Sequence, residues 1–305
     1  MNLNLKILTE AGNELGFGHL FRMRSILQVC DFAKIFVHTN QNINLEENEI
    51  SCQWRDLDWI SNNITKEDFI VLDSYLCTIE EIELLESKSK YLLVIDDNKI
   101  IEYTNKNIMN PNLFGSNLSY DDSNSLFVGK EYALTRKEFF YKDIKVEKNV
   151  LIMFGGSDVL NITSLVANYC KKFGYNIRVV EGEKTNSNLS DPEIKMYKNL
   201  GPEELSSLMQ EATVIISSAG QTLNEIVKVQ KPAVIISVID NQIPNKNYYI
   251  ENNYMLEFTK DNLEQIDYVF DPIIQEELKN KLKEIYTKET GSTKILELFN
   301  KLGEI

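Results

Sequence analysis

Short apolar, β-branched runs alternate with longer helical patterns along the chain, and this alternation limits the possible folds more than any other feature. Runs of the first kind lie at 5–8, 35–38, 69–72 and 91–95, and again at 150–154, 177–180, 214–217 and 233–237. Segments 23–33, 79–85, 162–172, 202–211 and 222–229 carry the helical period. Strands that read as continuous apolar runs are buried on both faces, as in parallel sheets sandwiched by helices. The pattern predicts an α/β chain in which strand, glycine turn and helix begin at residue 5 and restart at residue 150. That describes two Rossmann-like halves whose parallel sheets face each other across a cleft. A length of 305 residues suits two such domains.

The polar, Asn-rich stretch 105–124 interrupts the alternation, and a charged segment at 142–148 precedes the second series of strands. The boundary is expected near Lys145, giving domains 1–145 and 146–305. Helices are expected over 272–302, covering a sheet face or returning to the first domain.

Acidic residues number 46 against 32 basic ones, a net charge of −14. A field of that sign repels nucleic-acid backbones and anionic lipid, so neither is expected as a partner. An anionic ligand must instead be held by local donors, such as open amides at helix N-termini. Cys30, Cys52, Cys77 and Cys170 lack C-x-x-C spacing, which predicts reduced thiols and a cytoplasmic protein. The apolar stretch within residues 1–9 is too short for a leader core, and no run reaches the roughly 18 apolar residues that cross a bilayer.

Chemistry-bearing residues cluster where strands meet helices. Gly16-Phe17-Gly18-His19-Leu20-Phe21-Arg22 joins the first strand to the first helix, the edge at which open α/β sheets bind ligands. Gly16 and Gly18 let backbone approach a ligand, and His19, one of two histidines, is either a neutral-pH base or a capping or satisfied core residue. A dinucleotide site would need glycine at Phe21 and an acid after the second strand, where His38-Thr39-Asn40 stands, and no P-loop occurs. NAD binding is therefore not expected, and P-loop nucleotide hydrolysis is removed.

In the second half, Ser217-Ser218-Ala219-Gly220-Gln221-Thr222-Leu223-Asn224-Glu225 runs from strand through turn to helix start. Its amides either hold a diphosphate, with Glu225 accepting from ribose hydroxyls, or form an ordinary turn. Gly155-Gly156-Ser157-Asp158 repeats the pattern, as a phosphate-facing loop or as a glycine turn capped by Asp158. Tyr75 follows a strand in the first half; Asn241 and Gln242 follow one in the second, before a helix opened by Pro244. Asp56-Leu57-Asp58 and the Asp96-Asp97 pair come without histidine ligands, so no metal is expected, and no cofactor.

In this order the stretches resemble the PseG-type nucleotide-sugar hydrolases, relatives of the GT-B glycosyltransferases. Residues 16–22 match the family's G-x-G-H-x-x-R, and Asp73-Ser74-Tyr75 its D-x-Y. Asp96-Asp97, Asn110-Pro111-Asn112 and Gly129 with residues 132–139 follow in register, then Phe154 to Asp158, Ser217 to Glu225 and Asn241-Gln242. The resemblance implies a GT-B-like fold and removal of UDP from UDP-2,4-diacetamido-2,4,6-trideoxy-β-L-altropyranose, in pseudaminic acid biosynthesis. It implies attack of water on the anomeric carbon with inversion and without a metal. It also implies His19 as general base, Tyr75 and Asn241 holding sugar and water, and a substrate-binding set of Gly16, Gly18, Arg22, Gly155, Gly156, Ser217, Ser218, Ala219, Gly220, Thr222, Glu225 and Gln242. One departure stands out: the R-x-D that usually follows the first strand is replaced by Thr9-Glu10-Ala11-Gly12-Asn13-Glu14. A glycosyltransferase with the same donor pocket and a non-catalytic UDP-sugar binder are the alternative readings.

Overall fold

The computed structural model describes residues 4–12, 16–156, 158–182, 187 and 189–303. Asn13, Glu14 and Ser157, named above, lie outside them. The chain forms two units, Met1–Arg136 with Lys288–Ile305, and Lys137–Thr287.

In the first unit β1 (Asn4–Glu10), β2 (Lys34–His38), β3 (Glu49–Ser51), β4 (Asp68–Asp73), β5 (Tyr91–Ile95), β6 (Asn107–Asn110) and β7 (Ser125–Val128) form a wholly parallel sheet of order β3-β2-β1-β4-β5-β6-β7. Successive side chains on a strand face opposite sides. Ile7, Val71 and Leu93 therefore join one core with Leu20, Met23 and Ile26 of α1 (Gly18–Leu27), whereas Leu8, Leu72 and Val94 join another. The second core also takes in Ile60 of α2 (Leu57–Asn63) and Ile82 and Leu85 of α3 (Ile79–Lys88). Thr78 and Glu81 close the start of α3 with a reciprocal capping box.

The second unit repeats the scheme with β8 (Asn149–Met153), β9 (Asn176–Glu181), β10 (Ile194–Lys198), β11 (Val214–Ser218), β12 (Ala233–Ile236) and β13 (Leu256–Glu257), parallel in the order β10-β9-β8-β11-β12-β13. Helices α4 (Thr163–Cys170), α5 (Pro202–Glu211), α6 (Thr222–Val229), α7 (Ile243–Glu251) and α8 (Pro272–Ile285) belong to it. No helix among the described residues is long and apolar enough to cross a membrane.

Three expectations are corrected. The division falls after Arg136, not near Lys145, because Phe139 is buried and the following backbone is tied to α5: Ser206 donates to the Glu138 carbonyl and Gln210 to that of Phe140. The last helix, α9 (Gly291–Gly303), belongs to the first unit, the second of the two placements expected for 272–302, so the domain bounds 146–305 are what is corrected. Its Ile295 and Phe299 enter the core beside Leu20 and Met23, with the Phe299 ring 5.1 Å from that of Phe69. Finally, the polar stretch 105–124 contains β6, whose Asn110 is fully buried because its amide donates to the Asp97 carbonyl and its oxygen accepts from the Asn112 amide.

Candidate functional site

In each sheet the strand order reverses once, between β1 and β4 and between β8 and β11. At such a switch point the loops leaving the carboxyl ends diverge and leave room for a ligand.

At the first, β1 ends on Glu10, β4 ends on Asp73 and α1 begins at Gly18. Gly12 and Gly16 exchange two backbone hydrogen bonds at the base of the intervening loop, and Gly16 has φ +77°, which favours glycine. His19 and Arg22, one helical turn apart, both turn toward Asp73. His19 Nδ1 lies 2.8 Å from Asp73 Oδ1. A carboxylate only accepts, so toward Asp73 Nδ1 is the donor; Arg22 Nη2 lies 3.1 Å from the same nitrogen, and Nε2 has no protein partner among the described residues.

Arg22 ties this pair to a second carboxylate. Its Nε donates to Asp73 Oδ2 at 2.6 Å, its Nη2 donates to Asp73 Oδ1, and Nη1 donates to both oxygens of Asp97 at 2.8 Å. Burial opposes ionisation of Asp73, but Arg22 and His19 outweigh it and hold the carboxyl well below the usual range. Burial likewise disfavours the charged form of Arg22, yet Asp73 and Asp97 keep the guanidinium charged. Asp97 also accepts from the Tyr75 hydroxyl at 2.5 Å and the Asn112 amide at 2.7 Å. Burial and Asp97 push the Tyr75 phenol far up, so it stays protonated. Its ring stands edge-on to His19, centroids 4.3 Å apart.

These contacts redistribute the expected roles. Arg22 was expected to touch substrate; it is 4% exposed and its guanidinium joins the two carboxylates. The Tyr75 hydroxyl keeps its proton and donates it in a hydrogen bond to Asp97, so toward a ligand it offers an oxygen lone pair and a ring edge. Asp73, Asp97, Asn112 and Glu10 were missed as site residues. The signal for Asp73, Asp97 and Asn112 was present, since each belongs to a quoted motif. Glu10, in the place of the absent R-x-D, is fully buried and accepts from Ser74 Oγ at 2.5 Å and the Tyr75 amide at 2.8 Å. Asp56 caps α2, accepting from the Asp58 amide, and Asp96 accepts from the Asn98 and Lys99 amides and the Tyr120 hydroxyl.

The second switch point brings together Gly155, Gly156, Ser217, Ser218, Ala219, Gly220, Thr222, Glu225, Asn241 and Gln242, all beyond or at the ends of β8, β11 and β12. Gly155 has φ +81°, and a Cβ there would lie 3.7 Å from Ser218 Oγ. A Cβ on Gly220 would lie 3.4 Å from Gln242 Nε2, whose partner Oε1 accepts from the Val238 amide at 3.0 Å. Asn245 donates to the Ala219 carbonyl and pins the turn. No side chain caps α6, and the amides of Gly220, Gln221 and Thr222 have no acceptor among the described residues. Glu225 sits half-buried in the first turn, and Asn241 is exposed. His19 and Tyr75 thus meet in the first unit, while Asn241 belongs to the second.

Solved structures with this fold bear out the expected architecture, a GT-B-like pair of Rossmann-type α/β units. The MurG protein of Acinetobacter baumannii matches with a TM-score of 0.61 and 13% identity, over 98% of this chain and 99% of that one. The calicheamicin glycosyltransferase CalG4 gives 0.63 at 9% identity over the whole of both chains, and the UDP-GlcNAc 2-epimerase of Methanocaldococcus jannaschii gives 0.57 at 13% identity over 97% and 99%.

In sequence, the chain is similar to a protein of Helicobacter pylori named pseudaminic acid cytidylyltransferase and UDP-2,4-diacetamido-2,4,6-trideoxy-β-L-altropyranose hydrolase, 29% identical over 263 residues, 78% of this chain and 45% of that protein. It is also similar to an uncharacterized protein of Methanocaldococcus jannaschii, 27% identical over 299 residues, 86% of this chain and 60% of that one. The chain thus spans about half the length of the curated relatives it matches, and the resemblance to PseG-type proteins read from the motifs is borne out. No protein-family model matches it.

Proposed function

We propose that this chain is a nucleotide-sugar hydrolase that releases UDP from a UDP-linked diacetamido-trideoxy sugar, UDP-2,4-diacetamido-2,4,6-trideoxy-β-L-altropyranose, in a pseudaminic acid-type pathway. The observation that carries this reading is the His19–Asp73 pair at the first switch point, with Nε2 left free to accept a proton. The name of the Helicobacter pylori relative supports the substrate.

In this reading His19 Nε2 takes a proton from water as the oxygen attacks the anomeric carbon from the face opposite UDP. The C–O bond to UDP breaks, its electron pair leaves with the diphosphate, and the sugar is released with inverted configuration. Arg22 offsets one of the two carboxylates it joins, so the other is available to balance the imidazolium formed in the step. The Tyr75 oxygen and Asn241 hold water and sugar, with Gly16 and Gly18 admitting them closely. The open amides at Gly220 to Thr222 and the α6 dipole stabilise the departing diphosphate, joined by Gly155, Gly156, Ser217, Ser218 and Ala219. Glu225 and Gln242 accept and donate to the nucleoside. No metal is assigned to the step, and four free thiols suit the cytoplasm.

The test is UDP release from this sugar nucleotide by wild type and His19→Gln, beside UDP binding by calorimetry. Binding retained with turnover lost supports the assignment. Turnover undiminished in His19→Gln refutes the base, and binding without turnover in the wild type favours a transferase awaiting an acceptor.

A further inference from the structure

The second unit carries a pocket at the edge of its sheet opposite the switch-point loops, where the chain enters β8, β11 and β12. Its walls include Lys142 on the way to β8, Thr213 before β11, Lys231 before β12, and Gln275, Glu276 and Lys279 along one face of α8.

Lys231 is the unusual member. Three lysines are buried among the described residues, and two are provided for. Lys106 pairs with Glu86 at 2.6 Å. Lys228 donates to the Thr287 carbonyl at 2.6 Å and faces the rings of Phe140 and Tyr286. Lys231, 7% exposed, has no carboxylate, carbonyl or ring against its ammonium among the described residues. Its ammonium is not among the sealed, unpartnered side-chain atoms, so it opens into the pocket, where water or an anion from outside the chain meets it. Burial and the neighbouring Lys279 pull Lys231 down to about 8, which still leaves it mostly charged near pH 7.

The rest of the pocket is equally one-sided. The Gln275 amide is committed to the Val269 carbonyl and the Thr213 hydroxyl to that of Glu147. The charged residues left for a ligand are three lysines, Lys142, Lys231 and Lys279, against the single carboxylate of exposed Glu276, with Tyr141 and Gln230 as neutral polar members of the lining. In a chain of net charge −14 that is a local reversal of sign.

We propose that this pocket binds a phosphate-bearing anion, with Lys231 as its buried contact and Lys279 and Lys142 at its rim. The site lies at the far edge of the sheet from the Gly220 turn and does not depend on the nucleotide-sugar reading.

Competitive lysine labelling of the whole chain with acetic anhydride, read by peptide mass spectrometry, tests it. Inorganic phosphate is compared with chloride at matched ionic strength. At a phosphate concentration about ten times the dissociation constant, labelling of Lys231 is expected to fall roughly tenfold while that of Lys246 is unchanged. In Lys279→Gln, whose altered side chain lies at the rim, the same protection is expected only at higher phosphate. Stronger protection by glycerol phosphate assigns the site to a phosphate ester; equal or weaker protection assigns it to the free ion. Labelling of Lys231 that is insensitive to both, or that changes in step with Lys246, overturns the proposal.

Discussion

His19 Nδ1 and Asp73 Oδ1 stand 2.8 Å apart although 54 positions separate them in the chain. One residue opens the first helix and the other ends the fourth strand, so only a parallel sheet with β1 beside β4 brings them together. Asp73→Asn keeps the volume but removes the obligate acceptor that fixes the His19 tautomer. The turnover number is expected to fall about 10²- to 10⁴-fold with KM little changed, measured as steady-state UDP release.

Among the described residues, Arg22 is the one cation paired with both Asp73 and Asp97, two carboxylates nearly sealed from water. Arg22→Met leaves Asp73 with His19 and Asp97 with only the neutral donors Tyr75 and Asn112, and a loss of about 3–5 kcal/mol is expected from urea denaturation. The pH dependence has a definite sign. The Asp73 carboxyl is depressed in the folded chain, so its stabilisation is fully present above the unfolded value near 4 and is lost as pH falls toward the lower folded value. The wild-type urea midpoint should decline through that acidic range, and Asp73→Asn should flatten the decline.

Glu10 reaches the site only through Tyr75. Its carboxylate holds the Ser74 hydroxyl and the Tyr75 amide, and Tyr75 in turn holds Asp97. Tyr75→Phe and Glu10→Gln are each expected to lower kcat about tenfold, the loss of a charge-assisted hydrogen bond. Together they should cost little more than either alone, and a double-mutant cycle on kcat and KM measures that coupling.

The turn before α6 offers open amides to an anion. Gly220→Asp places a carboxylate there, and UDP affinity is expected to fall at least about tenfold by calorimetry, with the thermal midpoint nearly unchanged. Equal UDP affinity in the two proteins would remove the diphosphate from this turn.

Much of this was legible in the sequence, and the exceptions have physical causes. Buried strands such as 69–72 announce themselves because both faces are apolar, and the glycine turns mark where they end. β6 was hidden because Asn107 and Asn110 read as loop, whereas burial of Asn110 is made tolerable by bonds to Asp97 and Asn112 that no local pattern encodes. His19 was visible through its place beside Gly18, but the task of Arg22 depends on Asp97, 75 positions away. The return of α9 to the first unit was equally non-local. Phe299→Ala should cost about 3–5 kcal/mol, with hydrogen exchange accelerated in β1 and β4 rather than in β8 and β11.

The central claim is that His19 directs water to the anomeric carbon, and hydrolysis in ¹⁸O-labelled water reads the bond that breaks. UDP-2,4-diacetamido-2,4,6-trideoxy-β-L-altropyranose is incubated with wild type and His19→Ala, and early time points are taken before the free sugar exchanges its anomeric oxygen. Label on the sugar, unlabelled UDP, inverted configuration by NMR and no turnover in the variant are expected. Label in the released UDP, or undiminished turnover by His19→Ala, would contradict it.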